Sequence, residues 1–293
     1  MGTTFTTLIS GDALRAELVS HNNLLLIDVR FDLADPNAGE AGWRAGHLPG
    51  AAYLHLERDL SGAKTGRDGE FRGRHPLPAR ADFAATLGRI GITPASRVVA
   101  LDAQGGMVAA RLWWLLRWMG HANAAVLDGG LAAWIAAGGA LAADAPGPAV
   151  APMVDAAPYP ERAPLVETID AQRLAAELGR VRLLDARAGE RFRGEFEPLD
   201  AAAGHIPGAT SRFYRDNLGA NDHFKPAAQL RAEFAAVLGG QPASNTVHQC
   251  GSGVTACHNL LAMEHAGLTG SKLYPGSWSE WSADASRPVA RSR

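Results

Sequence analysis

Leu24-Leu25-Leu26-Ile27-Asp28-Val29-Arg30 and Val181-Arg182-Leu183-Leu184-Asp185-Ala186-Arg187 are two copies of one pattern, a short apolar run that ends in Asp-x-Arg. Each reads as a buried strand. The copies do not stop there. Gly46-His47-Leu48-Pro49-Gly50-Ala51 returns as Gly204-His205-Ile206-Pro207-Gly208-Ala209. A helical stretch over residues 81–91 is matched over 227–239. Each half then has a strand, a glycine-containing turn and a helix: residues 97–102, Gly105-Gly106 and 107–120 in the first, and 246–250, Gly251-Ser252-Gly253 and 254–267 in the second. Each closes on a strand and turn, Leu127-Asp128-Gly129-Gly130 followed by Trp134, against Tyr274-Pro275-Gly276-Ser277 followed by Trp278 and Trp281. Matching features in the same order over half the chain mean a duplicated domain and not a solenoid. Alternation of strands and helices predicts an α/β fold, a parallel sheet flanked by helices in each half. Residues 140–164 are rich in Ala and Pro (Pro146, Pro148, Pro152, Pro158, Pro160, Pro164) and read as an extended linker. The expected domains are therefore 1–145 and 165–293, with the linker at 146–164.

The 293 residues suit two domains of ordinary size, and 47% hydrophobic against 20% charged residues marks a folded chain. A net charge of -2, with no basic run, gives no field to gather nucleic acid or an anionic membrane. No basic stretch followed by an apolar run opens the chain, so no secretory signal is expected, and no apolar run is long enough to span a bilayer. The only cysteines, Cys250 and Cys257, are seven residues apart. On one helix that is about 10 Å of axis, too far for a disulfide. A reducing, cytoplasmic setting is the expectation. Gly62-Ala63-Lys64-Thr65 lacks the leading glycine and strand of a phosphate loop. The ten histidines show no paired ligand spacing, so no metal or other cofactor is expected.

The chemistry concentrates in Cys250-Gly251-Ser252-Gly253-Val254-Thr255-Ala256, which leaves a strand and opens a helix. Backbone N–H groups at such a place point outward and attract anions. The two glycines let the chain curl until several amides face one point. A cysteine at the start of that turn sits in a field that favours its thiolate, the nucleophilic form. Gly251, Gly253, Val254 and Thr255 are the expected cradle for a bound anion. The corresponding turn of the first half, Asp102-Ala103-Gln104-Gly105-Gly106, has no cysteine. One half thus keeps a nucleophile that the other lacks.

Asp-x-Arg, Gly-His-[Leu/Ile]-Pro-Gly-Ala, Cys-Gly-Ser-Gly-Val-Thr-Ala and Gly-Ser-Trp-Ser-Glu-Trp, in that order, resemble the tandem-domain rhodanese family over nearly the whole chain. The neutral loop after Cys250 is similar to the 3-mercaptopyruvate sulfurtransferase branch, whereas the thiosulfate branch typically has a basic one. The resemblance implies a catalytic second domain, an inactive first domain, and transfer of sulfur through a Cys250 persulfide, from a small donor such as 3-mercaptopyruvate or thiosulfate to a thiol or cyanide. It implies that Arg191, in Gly189-Glu190-Arg191-Phe192-Arg193-Gly194, holds the donor's anion. Ser252 would bond sulfur or relay a proton. His47 matches a first-domain histidine of the family that lies near the catalytic cleft, although Gly-His-x-Pro-Gly recurs with His205, and bracing that turn is the competing role for both. Trp278 and Trp281 are expected in the core and Cys257 as a packed bystander. One position departs from the branch, which usually has a second arginine in Glu-Pro-Arg. Here the segment reads Glu197-Pro198-Leu199-Asp200, and Leu199 cannot bind a carboxylate. Two other readings compete. A cysteine phosphatase needs an arginine six positions after the cysteine, where this chain has Ala256. A non-catalytic binding module would have no need of Cys250 and its intact loop.

Overall fold

The computed structural model describes residues 6–20, 23–143 and 156–292. Among them lie two five-stranded sheets. In the first, β1 (Leu8–Ile9), β2 (Leu24–Asp28), β3 (Ala52–Tyr53), β4 (Arg97–Leu101) and β5 (Ala124–Leu127) are ordered β1-β5-β4-β2-β3. In the second, β6 (Glu167–Thr168), β7 (Arg182–Asp185), β8 (Thr210–Ser211), β9 (Thr246–Gln249) and β10 (Lys272–Leu273) are ordered β6-β10-β9-β7-β8. The two orders are identical, and all these strand pairs are parallel. The expected central strands are in register, Leu26 opposite Val99 and Leu183 opposite Val247. Their apolar runs are buried, as a parallel sheet covered by helices requires. The expected helices form at Arg80–Arg89, Ala109–Trp118, Ala227–Leu238 and Thr255–His265. Trp278 and Trp281 are fully buried in the second core, beside Leu174, Leu183 and Tyr274.

The duplicated motifs are two halves of one brace. In the first copy Arg30 Nε donates to Asp28 (2.9 Å to Oδ2) and Nη2 to the Gly46 carbonyl at 2.8 Å. In the second, Arg187 Nη2 donates to Asp185 Oδ2 and to the Gly204 carbonyl, both at 2.7 Å. Asp-x-Arg therefore ties the end of a central strand to the turn that begins Gly-His-x-Pro-Gly. The histidines complete the tie. His47 Nδ1 lies 2.8 Å from the Trp43 carbonyl, with its ring stacked on Trp43 at 4.4 Å. His205 Nδ1 lies 2.8 Å from the Phe192 carbonyl, stacked on Phe192 at 3.9 Å. Both are buried.

The compact units are not a simple cut at the linker. Residues 6–20, 23–61, 78–143, 156–165 and 220–224 form one, and residues 62–77, 166–219 and 225–292 the other. The segment 62–77, from the first half of the sequence, thus belongs to the second unit. Of the expected linker, residues 146–155 lie outside the described residues. Residues 156–164 are seated on the first unit: Tyr159 is buried, its N–H donates to the Ala84 carbonyl, and its hydroxyl lies 3.1 Å from His121 Nδ1. No helix among the described residues is long and apolar enough to cross a membrane.

Candidate active site

Cys250 is the first residue after β9, and the helix Thr255–His265 starts five residues later. It is 2% exposed, and the Gly253 N–H points at its Sγ from 3.1 Å. Each glycine of the loop has a separate cause. Gly253 has φ +79°, and a β-carbon there would fall 2.3 Å from the Pro275 carbonyl oxygen. At Gly251, whose φ is ordinary, a β-carbon would fall 2.6 Å from Arg74 Nη2 and 3.5 Å from Arg191 Nη1. The missing side chain at 251 is what lets the Arg74 guanidinium reach the residue beside the thiol, while Arg191 stands at ordinary contact distance. Val254 is buried and Thr255 half-buried at the helix start.

Arg191, expected from the resemblance to hold the donor's anion, lies on the short helix Gly189–Arg193. Arg74 was not anticipated. Its Nε lies 3.0 Å from Asp200 Oδ1 and its Nη2 3.3 Å from Asp200 Oδ2. Arg191 Nη2 reaches the same Asp200 Oδ2 at 3.1 Å and Glu197 Oε1 at 2.7 Å. Asp200 thus gathers two arginines at one edge of the loop. Burial pushes its carboxyl up from the usual range, Arg74 pulls it down, and Glu197 adds to the rise. Leu199 is half exposed and contributes no charge. Arg193 faces away, paired with Glu195 at 2.7 Å on the surface.

Ser252 Oγ lies 2.8 Å from His75 Nδ1, and both residues are buried. Within the second unit the histidine that meets the loop is His75, from the segment 62–77; His47, in the first unit, forms a brace matching that of His205. The motif Gly-Ser-Trp-Ser holds the other side of the loop. Trp278 N–H donates to the Cys250 carbonyl at 3.0 Å, and Ser279 N–H to the Gly251 carbonyl at 2.9 Å. Ser279 Oγ accepts from Arg74 N–H at 3.1 Å. Cys257 is fully buried with its thiol on the Gly253 carbonyl. Among the described residues no group of three or more His, Cys, Asp or Glu is arranged to hold a metal ion.

The first half supplies a comparison. Asp102 occupies the place of Cys250, and its carboxylate fills its own turn. Oδ1 accepts from the Gln104 and Gly106 N–H groups at 2.9 Å, and Oδ2 from Val108 at 2.8 Å and Ala109 at 3.0 Å. That turn is an anion site permanently occupied by the chain's own side chain. In the second half the same position bears the Cys250 thiol, with the Gly253 N–H 3.1 Å from its sulfur.

A model of the rhodanese-like domain matches residues 11–137 and again 170–284. The chain is 48% identical over 286 residues, 97% of each protein, to the "probable 3-mercaptopyruvate sulfurtransferase" of Pseudomonas aeruginosa. It is 30% identical to the thiosulfate sulfurtransferase of Gallus gallus, over 92% of this chain and 90% of that one. The 3-mercaptopyruvate sulfurtransferase from Leishmania major superposes with a TM-score of 0.81 at 27% identity, over 95% of this chain and 74% of that one. Two copies of one sheet order, each matched by the same domain model, make this chain a member of the rhodanese family with two tandem rhodanese-like domains.

Proposed function

We propose that this protein is a sulfurtransferase that takes sulfur from 3-mercaptopyruvate onto Cys250 and passes it to a thiol or cyanide. The observation that carries the reading is the convergence of a buried Cys250, an amide at its sulfur, and Arg74 and Arg191 beside Gly251. The arginines are suited to the donor's carboxylate, and the thiolate attacks its sulfur. The bond between Cys250 Sγ and the donor sulfur forms as the donor's C–S bond breaks. The electron pair stays on carbon as the enolate of pyruvate, which needs a proton. Ser252, held by His75, is the hydroxyl placed to relay it, so the catalytic part considered for His47 passes to His75. An acceptor thiolate or cyanide then attacks the outer sulfur, the S–S bond breaks, and its electron pair returns to Cys250. Gly251, Gly253, Val254 and Thr255 supply the backbone around the sulfur. No oxidant or reductant is consumed, and two half-reactions through a covalent enzyme give ping-pong kinetics.

Arg74 supplies the second guanidinium that the residue at 199 does not. With Asp185, Glu197 and Asp200 paired against Arg74, Arg187 and Arg191, the six side chains carry no formal net charge. That balance suits a singly charged carboxylate better than doubly charged thiosulfate. The test is the initial rate of thiocyanate formation from cyanide with each donor, for the wild type and Cys250→Ala. A preference for 3-mercaptopyruvate that vanishes in the variant supports the reading. Preference for thiosulfate overturns the donor, and activity surviving in Cys250→Ala overturns the mechanism.

A further inference from the structure

We infer that Ser277 is a positioning residue that sets the backbone of Cys250 for sulfur transfer. This rests on Cys250 being the sulfur carrier. Ser277 is fully buried and has φ +53°, a left-handed conformation that disfavours any residue with a β-carbon. Glycine would hold that conformation without strain, and the first half demonstrates it. Gly130, at the matching place after Leu127-Asp128-Gly129, has φ +56°. The surrounding contacts match as well: Leu131 N–H donates to the Asp102 carbonyl at 2.9 Å, as Trp278 N–H does to that of Cys250 at 3.0 Å. The turn itself therefore has no need of serine. A β-carbon at 130 would fall 2.3 Å from the Asp102 carbonyl oxygen, so the first half excludes the side chain that the second half carries.

The hydroxyl is what the strained residue provides. Ser277 Oγ accepts from the Cys250 N–H at 3.1 Å and donates to the Tyr274 carbonyl at 3.0 Å. Neither bond has a counterpart that glycine could make at 130. The strained residue occurs in the half that bears the nucleophile, and its side chain bonds the nucleophile's own amide. Strain kept at one copy of a duplicated turn, and relieved in the other, points to a task for the hydroxyl at the working copy. The task is to fix the direction in which Cys250 leaves β9, and with it where Sγ stands relative to Gly253 N–H and the donor.

The experiment compares Ser277→Gly and Ser277→Ala with the wild type. Thermal denaturation, steady-state kinetics and the rate of Cys250 alkylation by iodoacetamide across pH are measured for each. Glycine relieves the strain and alanine keeps it, so Ser277→Gly is expected to melt above Ser277→Ala. Both lose the hydroxyl, so both are expected to lose about tenfold in kcat, the worth of one buried hydrogen bond, with KM for the donor within about twofold. The alkylation profile moves alike in both. Ser277→Gly with wild-type kcat and alkylation would overturn the proposal, because a purely structural residue there is replaceable by the one the first half uses. Inactivity of the wild type, or activity of Cys250→Ala, would instead overturn the sulfur-carrier reading; alkylation still tests the positioning separately.

Discussion

Replacing Arg74 by glutamine separates its pairing with Asp200 from the donor binding proposed for it. Arg74 lies against the edge of Gly251 and shares Asp200 with Arg191. If it binds the donor's carboxylate, losing its charged hydrogen bonds costs about 1.5–3 kcal/mol of binding, or roughly 10–150-fold in KM or kcat/KM. The variant also strips Asp200, whose side chain is 2% exposed, of one of two cationic partners. Arg191 remains, so the stability cost is about 1–3 kcal/mol and not the ~3–5 kcal/mol of an abandoned buried charge. Adding Asp200→Asn removes the stranded carboxylate. The double variant should therefore recover much of the melting temperature while donor affinity stays weak. Steady-state thiocyanate formation with 3-mercaptopyruvate, beside thermal denaturation of the single and double variants, is the assay. Arg74→Gln with an unchanged donor KM would refute the assignment and leave Arg74 a structural partner of Asp200.

Gly253→Ala should cost about 2 kcal/mol and most of the activity, since the new methyl meets the Pro275 carbonyl at a left-handed φ; melting and rate assays report both. Ser252→Ala and His75→Gln should each lower kcat by about 100-fold, and the double variant little further, because the proposed relay needs both groups. Burial pushes the His248 pKa down to about 3, so its ring stays neutral in the fold while the unfolded chain protonates near 6.5. Stability should fall as pH drops from 6.5 towards 3, by up to about 1.4 kcal/mol per pH unit, and His248→Leu should flatten that slope in denaturant titrations. Glu233 contributes lower down. Burial raises its pKa, but bonds from Arg212, Lys225 and Gln229 bring it to about 2. Its stabilisation is present above 4.5 and lost as pH falls towards 2, and Glu233→Gln should remove that part of the acid sensitivity.

The fold was legible because duplication doubles every signal. A buried run such as Leu183-Leu184 is ambiguous alone, yet its twin at Leu26-Ile27, with the same Asp-x-Arg ending, fixes both as central strands. Cys250 was legible for the same reason, as a thiol that the matching turn, with Asp102 in its place, lacks. The tie from Arg30 and Arg187 to Gly46 and Gly204 was not, since nothing in sequence links side chains about 16 residues apart to a particular carbonyl. Arg74 and His75 escaped notice because they lie in the irregular segment 62–77, outside every paired motif that was read. Their partners, Asp200 and Ser252, lie 126 and 177 residues away. The histidine motif drew attention to His47, whereas the loop hydroxyl meets a histidine from an irregular segment. The missing arginine at 199 was visible as a gap, and only folding shows Arg74 arriving beside the loop. The turn at Asp102 read only as one without a cysteine; the four amides that hold its carboxylate make it a filled anion site.

Intact-protein mass spectrometry after one addition of 3-mercaptopyruvate, without acceptor, tests the central claim most directly. The wild type should gain the mass of one sulfur atom, localised to the peptide bearing Cys250 and removed by cyanide, while Cys250→Ala gains nothing. A wild type that stays unmodified, or sulfur found on Cys257 in both proteins, would contradict it.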